Sequence, residues 1–169
     1  MAGPRSVFKD YNLFFAANSF AGNINDFNPP KLTLNTEEWK GGGMGAPLKL
    51  KQGLQALDTD FSVINFSPVI LGAVYPTEGN DTSFIMRGAY EDWDGTVTQR
   101  VITMRGEVTA KDEGTLKIGQ VATVKISMNL NYYSDTIGGV VVDEIDVINM
   151  IWNKNGVDAL AVIRNALGV

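Results

Sequence analysis

At 169 residues, with 44% hydrophobic and 20% charged side chains, the chain is long enough for one domain with a substantial core. It has no cysteine and no histidine, which removes disulfides, thiolate chemistry, the usual zinc ligands and the histidine-based catalytic pairs. A net charge of −5, with no cluster of lysine and arginine, argues against tight binding to a phosphate backbone.

In chain order, residues 12–15 and 20–24 read as strands flanking an Asn18-Ser19 turn. Leu32 and Leu34 then alternate with Lys31, Thr33 and Asn35, and Leu48 and Leu50 alternate with Lys49 and Lys51. Between these runs lies Glu37-Glu38-Trp39-Lys40-Gly41-Gly42-Gly43-Met44-Gly45-Ala46-Pro47. Three consecutive glycines are costly to order and pack nothing of their own. Trp39 and Met44 beside this flexible hinge need an apolar surface to bury against. Residues 32–50 therefore read as a projecting hairpin arm. Its Glu37, Trp39, Lys40, Gly41, Gly42, Gly43 and Met44 are expected to meet a neighbouring copy.

Leu57, Thr59, Phe61 and Val63 alternate with Ala56, Asp58, Asp60 and Ser62, giving another strand. Ser67-Pro68 is an N-cap with proline at N1, which predicts a helix running on through Tyr75. Phe84, Met86 and Tyr90 lead to a hairpin turn at Asp94-Gly95, and residues 96–110 return. The clearest alternation spans residues 121–133. Ala122, Val124, Ile126, Met128, Leu130 and Tyr132 form a dry face, which puts Tyr132 in the core and Tyr133 on the surface or at an interface. Thr123, Lys125, Ser127, Asn129 and Asn131 form a wet face. Residues 140–147 supply a further strand. A short C-terminal helix is expected at about 157–167, capped by Asn155, with Asp158 in its first turn and Gly168 at its end. The whole reads as mainly β: an antiparallel barrel or sandwich with a flanking α-helix, a projecting β-hairpin arm and a short C-terminal helix, in a single domain over 1–169.

No catalytic constellation emerges. The glycine run lacks the Lys-Ser/Thr and the following helix of a phosphate-binding loop. Asp92-Trp93-Asp94-Gly95 lacks the further ligands of a calcium loop and reads as a solvated hairpin tip. Glu144 and Asp146 share a strand face, as paired acids would require, but edge protection or charge pairing with a neighbour accounts for them. No metal or other cofactor is expected. No apolar run approaches the roughly 20 residues that span a bilayer, so no membrane anchor is expected. Met1-Ala2-Gly3-Pro4-Arg5 lacks the apolar core of a signal peptide, so assembly in a cytoplasm is expected. The arm, the wet strand face and the lack of catalytic groups point to a self-assembling structural protein. Strands with one polar face suit a ring in which several subunits close one wide barrel without exposed edges.

The sequence also resembles the major tail tube proteins of contractile-tailed bacteriophages and R-type bacteriocins. The arm carries this resemblance together with Asn12-Leu13-Phe14, Asn18-Ser19-Phe20-Ala21-Gly22, Pro30-Lys31-Leu32, Arg105-Gly106, Lys111-Asp112-Glu113-Gly114, Tyr132-Tyr133 and Glu144-Ile145-Asp146. Asn155-Gly156-Val157-Asp158, Leu160, Arg164 and Leu167-Gly168 complete it, so it covers nearly the whole chain. Residues 91–95 and 134–139 depart from the family pattern. The resemblance implies hexameric rings stacked into the hollow inner tube of a contractile tail, in the virion, conducting DNA on ejection. A bacteriocin or secretion-machine tube is the alternative it allows. Implied partners are further copies of the chain, the sheath protein, a baseplate tube initiator, a tail terminator, and the tape-measure protein or DNA in the lumen. The wet face at Thr123, Lys125, Ser127, Asn129 and Asn131 is the expected lumen lining.

Overall fold

The computed structural model describes residues 5–168 apart from 16 and 65. The strands are β1 (Val7–Phe15), β2 (Asn18–Ser19), β3 (Ile24–Asn28), β4 (Leu34–Trp39), β5 (Leu48–Leu54), β6 (Leu57–Val63), β7 (Thr82–Glu91), β8 (Val97–Asp112), β9 (Val124–Ile137), β10 (Val140–Asp146), β11 (Ile151–Lys154) and β12 (Val157–Asp158). Two short helices, α1 (Pro68–Leu71) and α2 (Ala161–Leu167), complete the described elements. Every strand pairing among the described residues is antiparallel.

One sheet runs β2-β1-β7-β8-β9 and then forks. The first half of β9 (Val124 to Leu130) takes β6 and then β3, and the second half (Tyr132 to Ile137) takes β10, β11 and β12. The end strands β2 and β3 are joined by only four residues, 20–23, so the sheet must curl until its two ends lie side by side. Ring contacts record that curl. Phe15 of β1 and Phe61 of β6 both pack on Phe84 of β7, at 4.3 and 4.6 Å between centroids. Around them Leu13, Met86, Ile102, Met104, Ile126, Met128 and Leu130 are buried. Burial of these side chains is the main stabilising term. No closed barrel forms among the described residues. Ile70 and Ala73, in and just after α1, are buried in the same core.

The alternation along β9 holds from Val124 to Leu130 and then changes phase. Asn131 is an extra residue opposite β8, where Arg105 pairs with Tyr132 and Gly106 with Leu130. This bulge turns every later side chain over. Tyr133 is buried at 4% exposure and Tyr132 faces out, the reverse of the order expected from strict alternation. Gly106 makes the bulge possible: a Cβ there would lie 2.0 Å from the Asn129 carbonyl oxygen. The strand also continues through residues 134–137, past the alternation read over 121–133. The reversal is the Gly138-Gly139 pair, at φ +57° and +83°, as a two-residue hairpin turn demands.

Other expected boundaries move for local reasons. Asn18-Ser19 is a strand paired with Phe14-Phe15, and the reversal precedes it, with Ala17 at φ +66°. The helix after Ser67 stops after one turn because Gly72 closes it, donating its N–H to the Pro68 carbonyl at 2.9 Å. The C-terminal helix starts at Ala161, not near 157. Asn155-Gly156, at φ +50° and +83°, turns β11 into β12, so Asn155 is no cap. Asp158 instead accepts from the Leu160 N–H at 3.0 Å and pairs with Arg164 at 2.8 Å.

Candidate assembly surfaces

β4 and β5 pair only with each other among the described residues and form a ribbon apart from the main sheet. Pairing extends to Leu34 opposite Leu54, so the paired arm spans 34–54, starting two residues and ending four residues later than the expected 32–50. Trp39 lies opposite Leu48, and Glu37 opposite Leu50, so Trp39, Leu48 and Leu50 share one face. All three are exposed, Trp39 by 53%. The other face carries Glu38 and Lys49, paired at 3.7 Å, with Thr36 and Lys51. Glu37 accepts from the Gln52 side-chain amide at 3.0 Å.

The tip is a compact turn rather than a loose hinge. The Met44 N–H donates to the Gly41 carbonyl at 3.2 Å, and the Gly41 N–H points at the Met44 sulfur at 3.2 Å. The Trp39 ring covers Gly41 so closely that a Cβ there would stand 2.8 Å from it. Gly43 has φ +82°. Lys40 and Gly42 are exposed beside it. The glycines serve a close approach and a turn, and Trp39 keeps its outer face free.

Lys125, Ser127, Asn129 and Asn131 lie on the face of β9 away from the core, with Thr123 just before the strand. Their partners come from neighbouring elements. Lys125 pairs with Asp60 of β6 at 2.5 Å, and the Asn129 amide donates to Asp58 at 3.0 Å. The Asn131 amide donates to Asp81 at 2.6 Å, and Arg105 lies 3.8 Å from the same carboxylate. Glu107 of β8 accepts from the Gly79 N–H at 2.6 Å. Asp60 holds the Lys125 ammonium above its ordinary pKa. This face is a hydrogen-bonded polar lattice in which the carboxylates of Asp58, Asp60, Asp81 and Glu107 take part with the cations Lys125 and Arg105.

Glu144 and Asp146, the two acids that share a strand face, are also engaged within the chain. Glu144 accepts from the Tyr132 hydroxyl at 2.9 Å and the Asn153 amide at 2.8 Å. Asp146 accepts from the backbone and side chain of Asn149 at 2.9 and 2.7 Å, shaping the turn after β10. Two pairs that the sequence did not reveal lie on the core side of the sheet: Arg100 with Asp135 at 2.7 Å, and Lys154 with Asp143 at 2.9 Å. Asp135 reaches this side because the bulge reverses the faces beyond Asn131, and Asp143 lies directly opposite Lys154 in the β10–β11 register. Asp92-Trp93-Asp94-Gly95 is a hairpin tip, closed by Asp94 accepting from the Thr96 N–H at 2.9 Å. No group of three metal-binding side chains occurs among the described residues. No described helix is long and apolar enough to cross a membrane.

The fold is shared with a protein of a contractile injection system. A chain of the PVC sheath–tube complex, an extracellular contractile injection system solved in its extended state, superposes with a TM-score of 0.55 over 75% of this chain and 87% of the other, at 10% identity. Within that class the chain belongs to the phage tail tube protein FII family, whose model matches residues 5–168. It is 35% identical over 173 aligned positions to the tail tube protein of Escherichia phage P2, covering all of both chains. To the major tail tube protein of Serratia phage KSP20 it is 26% identical, over 92% of this chain and 91% of the relative. The family is one of structural virion proteins, and the protein is a tail tube component, not an enzyme.

Proposed function

We propose that the protein assembles into hexameric rings that stack as the hollow inner tube of a contractile tail, inside a sheath, and that DNA passes through the lumen on ejection. The observation that carries this reading is the arm. An isolated two-stranded ribbon is marginal in water, and this one exposes Trp39, Leu48 and Leu50 on a single face. Contact with another copy supplies the missing cover. A second feature supports ring closure. β1 pairs with β7 along its length, but on its other side Phe14 and Phe15 meet β2 and the Leu13 carbonyl accepts from the Phe20 N–H, leaving residues 7–12 without a strand partner on that side among the described residues. Closing such edges against a neighbour makes a continuous wall.

Thr123, Lys125, Ser127, Asn129 and Asn131 line the lumen in this reading. The cations of their face, Lys125 and Arg105, are already held by carboxylates, so a polyanion finds few phosphate contacts to hold it. The tube's partners are a sheath protein, a baseplate initiator, a terminator cap, and the tape-measure protein or DNA inside. Electron microscopy of the purified protein over a concentration series tests the reading: stacked rings are expected, and a monodisperse monomer at every concentration overturns it.

A further inference from the structure

At the end of the sheet that carries the Asp94-Gly95 and Gly138-Gly139 turns, the core side opens into a cavity of about 120 Å³. Ser6, Tyr90, Thr98, Arg100 and Ile137 line it. Strand pairing brings most of them together. Thr98 and Arg100 share a face of β8, with Tyr90 of β7 opposite Thr98 and Ile137 of β9 opposite Arg100. Ser6 is fixed beside them by its N–H, which donates to Asp92 at 2.7 Å.

Donors outnumber acceptors around this cavity. A guanidinium has five N–H groups and no acceptor. In Arg100, Nε and Nη2 donate to the two Asp135 oxygens at 2.9 and 2.7 Å, and Nη1 donates to the Tyr90 hydroxyl at 3.3 Å. One N–H on each terminal nitrogen is left, and the Tyr133 hydroxyl stands within reach of the guanidinium to take one of them. The Tyr90 oxygen accepts from Arg100, so its own proton is available to donate. The Thr98 hydroxyl has no partner among the described residues. No acidic side chain lines the cavity. The cavity beside Lys125 is different, because Asp58 and Asp60 line it and Asp60 already holds the ammonium. A partly buried cation and hydroxyl donors converging on a small cavity are the means by which a polar ligand is fixed. A carboxylate matches them best, since it is planar, accepts only, and meets the paired N–H groups of a guanidinium edge.

We infer that this cavity binds a carboxylate group, seated against the terminal nitrogens of Arg100 and accepting from the Tyr90 and Thr98 hydroxyls. Two sources carry that chemistry: a small free carboxylate, or an Asp or Glu side chain of another copy. Asp135 already balances the guanidinium charge, so hydrogen bonds set the affinity and Asp135 opposes it. NMR of the dilute protein, titrated with sodium acetate in place of sodium chloride at constant ionic strength, tests the site. Saturable shifts at Tyr90, Thr98 and Arg100 are expected, and absent or non-saturating shifts overturn the inference. Thr98→Val keeps the shape and removes one donor, so acetate should bind about fivefold more weakly. Asp135→Asn removes the opposing charge and should tighten acetate. Arg100 and Asp135 serving structure alone would leave acetate affinity unmoved by Thr98→Val, which overturns the inference even if Asp135→Asn fails to fold. Assembly followed during the same exchange of chloride for acetate separates the sources. Inhibition assigns the carboxylate to another copy, and unchanged assembly of acetate-binding protein assigns it to a free ligand. The titration uses unassembled protein, so it stands or falls apart from the tube reading.

Discussion

At Gly106 the backbones of β8 and β9 approach so closely that only a hydrogen fits in place of a side chain. Gly106→Ala should destabilise the fold by about 3 kcal/mol, because the obstruction is backbone and cannot rotate away; chemical denaturation measures this, and a near-neutral result would contradict the bulge geometry. The Arg100–Asp135 pair sits on the core side of the same strands, with the carboxylate almost fully buried. Arg100→Met leaves that charge unpaired and should cost on the order of 3 kcal/mol. Adding Asp135→Leu should recover most of the loss, because the penalty belongs to the orphaned charge, and a double-mutant cycle reads the coupling. Tyr133 gives a pH prediction. Burial, aided by the Asp135 charge and opposed by Arg100, pushes its phenol up to about 12 from 10.0. The unfolded chain therefore loses this proton first as pH rises, so the stability contributed by Tyr133 is complete below pH 10 and falls between 10 and 12. Tyr133→Phe should flatten that alkaline decline, and equal declines in parent and variant would contradict the assignment.

The arm and β9 behave as elements in different ways. β4 and β5 hold each other through cross-strand pairs, and the tip is fixed by Gly41 under the Trp39 ring. Nothing in the core depends on Trp39, so Trp39→Ala should leave the melting temperature of the dilute protein unchanged. Losing a buried interface aromatic costs about 2–4 kcal/mol, so the concentration for assembly should rise by about 30-fold or more. Sedimentation beside circular dichroism separates the two effects, and normal tubes at low concentration would refute the arm's role. β9 is the organising strand, shared by β8 along one side and by β6 and β10 along the other. One bulge lets it bury aliphatic side chains in its first half and Tyr133 and Asp135 in its second.

At the scale of the molecule, the curled sheet leaves a polar lattice on its outer side and apolar groups at the arm and the β8–β9 loop. In the proposed tube, weak contacts become decisive because stacking repeats each one many times, as in multivalent binding. The lumen assignment predicts that Ser127→Lys with Asn129→Lys preserves tube formation but slows DNA ejection. The added ammonium groups replace near-neutral wall with phosphate contacts, and the retardation should weaken with salt. Ejection timed at several ionic strengths checks this, and a structure of the tube with these side chains on its outer wall would refute it.

The sequence by itself determined the β class, the alternation of β6 and of β9 up to Leu130, the hairpin at Asp94-Gly95, the existence of the arm and the absence of histidine or cysteine chemistry. These are properties of local pattern and composition, which a chain carries before it folds. It also displayed the wet face of β9, whose members depend only on period-two geometry. Tertiary structure decided the rest. Whether Tyr132 or Tyr133 is buried turns on one inserted residue opposite β8, and that insertion is visible only once both strands are in register. The partners of Asp135, Asp143, Glu144 and Asp58 lie on other strands at positions set by pairing, which no spacing along the chain encodes. The glycines of the arm read as flexible in sequence because a missing side chain signals freedom. In the fold one of them is occupied from above by the Trp39 ring, and the same missing atom there signals contact.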